Sequence, residues 1–272
     1  EVLLAEAAHL KATGVEEILL IAQDTSNYGR DLYGKEMLPE LLAQVAQLGF
    51  TWVRLLYCYP TRISPALLEV MAHYPNICHY LDIPLQHVSD KILHAMGRYG
   101  GRQEIDAAFR HIRTYLPDAA IRTTFMVGFP GETEEDFQEL LDFVHEAGIA
   151  WAGVFRYSPE DDTPAARMPE QVPEEVKAER QDRLMAELAA ISRQHKKSWL
   201  GQSWQVLLEE EVAPGIWACR SQYQAPEVDG LVYMAVDGTA QAGEFRWASI
   251  TESDIYDVDA QECSAPQGGE AR

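Results

Sequence analysis

The residues of this chain best suited to chemistry are polar groups that recur where apolar runs stop. Gln23 and Asp24 follow EILLIA, Thr61 and Arg62 follow WVRLLYCYP, and Gln86, His87 and Ser89 follow YLDIPL. Arg122 lies in IRTTFMV, which ends at the turn Gly128-Phe129-Pro130-Gly131, and Tyr157 closes a run that begins at Trp151. These side chains donate and accept hydrogen bonds. Local sequence marks no nucleophile–base arrangement, HExxH pair or phosphate loop among them. His87 is a candidate base, although a lone histidine at a strand end more often caps or solvates a loop. Arg62, Arg98 and Arg102 could each receive a carboxylate through paired N–H donors, or pair with the chain's surplus of acids. Two glycines about Pro130 make a tight turn where backbone can approach a ligand closely. Glu134, Glu135 and Asp136 just beyond it compensate the helix dipole, which argues against a phosphate there. Binding groups without a catalyst fit an enzyme whose reactive chemistry belongs to a cofactor.

Such groups converge only if the elements before them run parallel. The continuous apolar run over 17–22 reads as a buried parallel strand, and 52–59, 80–85, 121–127 and 151–157 read as further strands. Helical spacing over 1–13, 37–48, 64–72, 103–115 and 134–146, with a further helix opening at Lys91 behind Ser89 or Asp90, alternates with them. The connections are long enough for βαβ crossovers, so the fold class is parallel α/β, an open sheet or a full or partial barrel. The polar groups then gather at the C-terminal mouth of the strands, where such folds bind ligands. The chain opens within a helix, so a further βα unit is expected upstream of Glu1.

From Pro173 the pattern changes. A long charged helix over 174–199 is followed by short alternating runs over 204–209, 215–220, 231–236, 244–250 and 256–258. Pro214-Gly215, Asp229-Gly230 and Asp237-Gly238 supply turns between them. That is the pattern of a small β-barrel of the oligomer-binding type. The expected organisation is an α/β core over 1–172, a connecting helix over 173–200, a barrel over 201–260 and a disordered tail over 261–272.

The 272 residues, 47% of them hydrophobic, can bury a substantial core. No apolar run is long enough for a membrane span, and the start lacks the pattern of a signal peptide. Cys58, Cys78, Cys219 and Cys263 are far apart, with no CxxC or CxxxCxxC spacing. They outline neither a disulfide framework nor an iron–sulfur site, which points to thiols in a reducing cytoplasm. The net charge of −21 disfavours nucleic-acid backbones and favours a basic partner, although acidity can also serve solubility alone. From Trp199 onward three Arg and no Lys face thirteen Asp plus Glu, so 3 − 13 = −10.

Six segments together resemble the radical S-adenosylmethionine methylthiotransferases: QDTSNYG (23–29), LYCYP (56–60), YLDIPLQHVSDKIL (80–93), MGR (96–98), TTFMVGFPGET (123–133) and FRYSPEDDTPAARM (155–168). The barrel resembles the family's TRAM domain. QAPEVDGLVY (224–233) and ITESDIYDV (250–258) are similar to the branch that methylthiolates an aspartate of the twelfth small-subunit ribosomal protein. The acidic barrel agrees with that branch. A sister branch modifies tRNA adenosine and has a more basic barrel.

The resemblance implies a partial TIM-like barrel followed by an OB-like TRAM barrel. It implies S-adenosyl-L-methionine as cofactor, cleaved reductively to a 5′-deoxyadenosyl radical, and two [4Fe–4S] clusters in the full-length enzyme. It places cofactor contacts at Gln23, Asp24, Gln86, Ser89, Arg98, Arg122, Gly128, Phe129, Pro130 and Gly131, and carries over no catalytic residue. The implied partners are a basic small-subunit ribosomal protein as substrate and an electron donor of unstated kind, with no membrane and no RNA. The family's CxxxCxxC is absent and would lie upstream of Glu1, so the chain alone is expected to bind no cluster and to be inactive. A tRNA adenosine methylthiotransferase and a non-enzymatic acidic adaptor for a basic ribosomal protein are the alternatives.

Overall fold

The computed structural model describes residues 1–266, which divide into two compact units, the first Glu1–Leu188 and the second beginning at Ala189. In the first, the elements are α1 (Val2–Ala12), β1 (Glu17–Leu20), a single turn α2 (Arg30–Tyr33), α3 (Leu38–Ala46), β2 (Trp52–Leu55) and α4 (Pro65–His73). There follow β3 (Tyr80–Asp82), α5 (Asp90–Ala95), α6 (Arg102–Tyr115), β4 (Ala120–Val127), α7 (Glu134–Ala147) and β5 (Trp151–Arg156). Local sequence sets several boundaries. Ser64 caps α4 by accepting from Leu67 N at 3.3 Å, with Pro65 in the first turn where its missing N–H costs nothing. Thr133 and Asp136 form a reciprocal capping box at α7, and Gly148 ends that helix in the left-handed region.

β1 pairs parallel with β2, and β3, β4 and β5 pair parallel in that order. Backbone hydrogen bonds from Val53 N to Asn76 O, Cys78 N to Val53 O and Cys58 N to Asp82 O tie the two sets together. Strand order therefore follows chain order, as a run of βα units predicts. Alternation along the strands splits the residues between two faces. Val53, Leu55, Leu81, Ile121, Phe125 and Val127 on one face are fully buried. The other face holds charge. Arg54 donates to Glu17 at 2.9 Å and lies over the rings of Trp52 and Tyr80, and Arg122 reaches Asp82 at 3.2 Å.

β3 is shorter than the run over 80–85 predicts. Pro84 has no N–H to give the ladder, and Gln86 takes a left-handed φ of 70°. The segment nonetheless rejoins β4, through Gln86 N to Thr124 O at 2.8 Å and Met126 N to Gln86 O at 2.7 Å.

Helix α8 (Glu174–Lys196) begins in the first unit and continues into the second. There β6 (Ser203–Ala213), β7 (Ile216–Ser221), β8 (Val232–Ala235), β9 (Phe245–Ser253) and β10 (Val258–Glu262) close a barrel in the order β10-β8-β7-β6-β9. All its pairings are antiparallel except β10 with β8. Trp204, Val206, Leu208, Cys219, Val232 and Met234 fill its core. Lys196 is buried too, donating to Ile255 O at 2.8 Å, and burial pushes its amine down to about 7. The last strand is displaced from the expected 256–258, because Asp257 turns aside to accept from Leu231 N at 2.8 Å. β10 reaches Glu262, past the barrel end expected at 260. Of the expected tail, 267–272 lies outside the described residues.

Candidate functional site

The loops after β1, β2 and β3 enclose a cavity of about 480 Å³ whose lining includes Gln23, Asp24, Tyr59, Arg62, Met96 and Arg98. Asp24 accepts from Ser26 Oγ at 2.5 Å and from Arg62. Arg62 and Arg98 both lie over the ring of Tyr59, at 5.9 and 4.7 Å from its centre. Arg98 donates one N–H to Pro84 O at 2.6 Å, which fixes the guanidinium and leaves further donors. Arg62 is shared by Asp24 and, at 3.9 Å, Glu36, whereas Arg98 pairs with no carboxylate among the described residues. The Arg98 guanidinium is complementary to a ligand that brings one carboxylate of its own.

Two residues at the same strand ends hold conformations that side chains rarely adopt. Tyr57, after β2, has φ 58°, and Gln86 has φ 70°. Each costs on the order of 1–3 kcal/mol and persists only where surrounding bonds enforce it. Thr25 N donates to Tyr57 O at 2.9 Å, and the β4 backbone holds Gln86. The Gln86 carboxamide makes no hydrogen bond within the described residues and is half-buried. Strain of this kind aims side chains where an ordinary strand end would not.

Beside the cavity lies an apolar floor. Phe129 and Tyr157 meet edge to face at 5.1 Å and cluster with Ile92, and Met96 and Met126 pack against them. Met96 belongs to both cavity and floor. The turn that carries Phe129 is built from behind. Glu132, fully buried, accepts from Gly128 N at 2.6 Å and Phe129 N at 3.3 Å, and from Arg180 of α8 at 2.8 Å. Burial pushes its carboxyl up, while Arg180 and the two N–H groups pull it down. Gly131 N donates to Glu170 O at 2.9 Å. Gly128, at φ 74°, leaves no room for a side chain, because a Cβ there would stand 2.2 Å from Lys177 Cγ. Gly128→Ala is therefore expected to lower stability by about 2 kcal/mol, from left-handed strain plus overpacking. A urea midpoint unchanged from the parent would contradict this.

Of the residues singled out from sequence, the cavity gathers Gln23, Asp24, Arg62 and Arg98. Gln86 and the Gly128–Gly131 turn border the apolar floor, with Pro130 and Phe129 buried. Ser89 and Arg122 are committed elsewhere. The Ser89 hydroxyl donates to Asp136 at 2.7 Å, and Arg122 pairs with Asp82 well short of the end of β4. Burial works against the Asp136 charge, but hydrogen bonds from Lys91, Thr133 and Ser89 outweigh it and hold the carboxyl far below its usual range. Of the two ordinary roles for a strand-end histidine, solvated or structural, His87 takes the structural one. It is fully buried, its Nδ1 accepts from Ser89 N at 3.0 Å, and burial pushes it down to about 4, so it stays neutral. Reading the sequence gave Tyr57, Tyr59, Met96 and Glu132 no role beyond their place in the quoted segments, and did not single out Arg180. Glu132 carried a signal, its place directly after the glycine turn, whereas Arg180 has none within its own helix.

The cofactors implied by resemblance fit these residues unequally. S-adenosylmethionine carries an amino-acid ammonium and carboxylate and a sulfonium on an adenine nucleoside, and the cavity's Asp24 carboxylate and guanidiniums, the Gln86 carboxamide and the apolar floor suit its parts. An iron–sulfur cluster does not fit. Among the described residues no three His, Cys, Asp or Glu could hold a metal ion. Cys58 and Cys219 are buried, and burial pushes both thiols up, away from the thiolate a cluster needs. No helix among the described residues is long and apolar enough to cross a membrane.

Comparison with known proteins gives two family matches, the Radical SAM superfamily over residues 1–144 and the TRAM domain over residues 200–262. A curated relative from Moorella thermoacetica, "Ribosomal protein uS12 methylthiotransferase RimO", is 50% identical over 259 residues, 94% of this chain and 59% of that protein. The protein of the same name from Heliobacterium modesticaldum is 45% identical over 267 residues, 98% of this chain and 58% of that one. The chain thus spans somewhat under six-tenths of the length of these relatives. Among solved structures, coproporphyrinogen III oxidase (HemN) from Escherichia coli, a radical SAM enzyme, superposes with a TM-score of 0.53 at 14% identity. The match covers 92% of this chain and 58% of that one, and bears on the fold alone.

Proposed function

This chain belongs to the Radical SAM superfamily and carries a TRAM domain, and from that premise we propose that it is part of a ribosomal protein uS12 methylthiotransferase. The proposed substrate is an aspartate of that basic protein, and the proposed cofactor is S-adenosylmethionine. Held by the residues of the cavity and given one electron by an external iron–sulfur reductant, S-adenosylmethionine would release methionine and supply a 5′-deoxyadenosyl radical able to take hydrogen from the aspartate β-carbon. The observation that carries the cofactor assignment is the cavity with Asp24 and Arg98 on its wall. The remaining N–H groups of Arg98 receive the methionyl carboxylate, and Asp24 faces the ammonium. Gln86 offers its carboxamide to the ribose hydroxyls. Met96, Met126 and Phe129 give the adenine a dry, polarisable floor. Ser89, through Asp136, and Arg122, through Asp82, act from behind these contacts and do not touch the ligand.

The chain's own cysteines hold no cluster in this proposal, and without one the chain alone is inactive. The acidic barrel supports a basic protein partner over tRNA, since an acidic surface repels phosphates and speeds encounter with a Lys- and Arg-rich surface.

Titration calorimetry of the chain with S-adenosylmethionine tests the cofactor site. Saturable binding is expected, weakened about 10-fold or more by Arg98→Met, the loss of charge-assisted hydrogen bonds worth about 1.5–3 kcal/mol. Asp24→Asn is expected to weaken it by a smaller factor. No saturable binding, or binding indifferent to both substitutions, would overturn the assignment.

A further inference from the structure

Helix α8 lies beyond the residues matched by the superfamily, yet its first turns reach the Gly128–Gly131 turn. Arg180 is almost fully buried and donates from one nitrogen both to the Glu132 side chain at 2.8 Å and to Glu132 O at 3.1 Å. Glu132 hands that constraint on, accepting from Gly128 N and Phe129 N. Lys177 lays its stem across Gly128 and donates to Tyr157 O at 2.9 Å. Gln181 donates to Val154 O at 2.7 Å on β5. A surface connector has no reason to bury an arginine and a lysine, since each ion must be compensated in full. Here the compensation falls on the backbone that shapes the apolar floor.

We infer that Arg180 is a positioning residue for the proposed S-adenosylmethionine site, acting through Glu132 to hold the Gly128 and Phe129 backbone in the shape that receives the nucleoside. The inference rests on the cofactor assignment made above. It adds that residues 174–181 are a working part of the site, and that the strands and helices up to residue 144 do not complete it. Arg180 touches no reacting atom. Besides Glu132 it has Glu134 at 3.6 Å and the Phe137 ring at 5.5 Å, but only Glu132 connects it to the Gly128 and Phe129 amides, and that dependence can be tested.

The test uses the full chain, with Arg180→Met, Glu132→Gln and the double variant. Hydrogen exchange is read first, without ligand. Arg180→Met is expected to speed exchange at the Gly128 and Phe129 amides about 10-fold or more, while the amides of β4 and of the β6–β10 barrel keep their parent rates. S-adenosylmethionine affinity is read second. Arg180→Met is expected to weaken it about 10-fold or more, and the double variant is expected to be no weaker than Arg180→Met alone, because both changes break one path. An unchanged exchange rate at both amides, or losses for the two substitutions that add, would overturn the positioning role. If the parent chain itself fails to bind S-adenosylmethionine, the cofactor assignment falls instead, and the inference with it. If Arg180→Met unfolds the first unit, Arg180→Lys replaces it. The lysine keeps the charge but not the shared donation to Glu132, so faster amide exchange with a native melting profile is still expected.

Discussion

Arg54→Ala is expected to lower the unfolding free energy of the first unit by about 3–5 kcal/mol. Arg54 is 0% exposed and its partner Glu17 only 8% exposed at the side chain, with 2.9 Å between Nε and Oε1. Truncating the arginine leaves a carboxylate inside the sheet with its solvation gone and its compensating charge removed. It also strips the cation from the rings of Trp52 and Tyr80, 5.8 and 5.1 Å away. The two terms act in the same direction. Replacing both partners, with Arg54→Met and Glu17→Leu together, removes the stranded charge and is expected to recover most of the loss. Urea unfolding followed by circular dichroism measures both. A loss under about 1 kcal/mol for Arg54→Ala would show that the pair adds little at this position.

Acidification produces the second large effect, and His87 sets its window. Burial is the main cause of the depression to about 4 from an ordinary 6.5, with the Asp136 carboxylate opposing it and the Arg180 and Lys91 cations reinforcing it. Between those two values the unfolded chain binds a proton that the folded chain refuses, so stability falls as pH is lowered through the window. Above about pH 7 the group contributes nothing, and below about pH 4 its effect levels off. The full span corresponds to about 3 kcal/mol. His87→Gln keeps a side-chain acceptor for Ser89 N and cannot titrate. Its urea midpoint is expected to change much less between pH 7 and pH 5 than that of the parent. Parallel curves for the two proteins would refute the assignment to His87.

The parts of the fold legible in the sequence were those fixed by neighbours in the chain. Runs such as EILL, WVRL and AIRTTFMV have one apolar face and branched residues, and they form strands wherever a second strand can cover them. Thr133 and Asp136 announce a helix start by their spacing alone. β3 was overread because YLDIPL is apolar but for Asp82, and only Pro84 hinted that the ladder must break. The barrel's final strand was misplaced because Asp257 answers to Leu231, far back in the chain.

The site divides in the same way. Gln23, Asp24 and Gln86 could be named because strand ends in a parallel sheet converge whatever the side chains do. What each side chain is committed to depends on distant residues. Ser89 belongs to Asp136, Arg122 to Asp82 and Glu132 to Arg180, across separations of 40 to 48 residues. His87 was read as a solvated or structural residue, and the structure gives it the second role. Nothing beside it in sequence reveals that α7 and α8 supply the residues that surround it.

The parallel pairing of β10 with β8 has a consequence for biosynthesis. The strand made last holds two neighbours at once, β8 on one side and β9 on the other. Until Val258–Glu262 has been translated, both stand as bare edges whose N–H and C=O groups could recruit a strand from another nascent chain. No earlier segment can relieve them. The β6–β7 hairpin gains its own local pairing long before the ring can shut. The interval of vulnerability is therefore set by the pace of the ribosome over the last strand, not by how stable the finished barrel is.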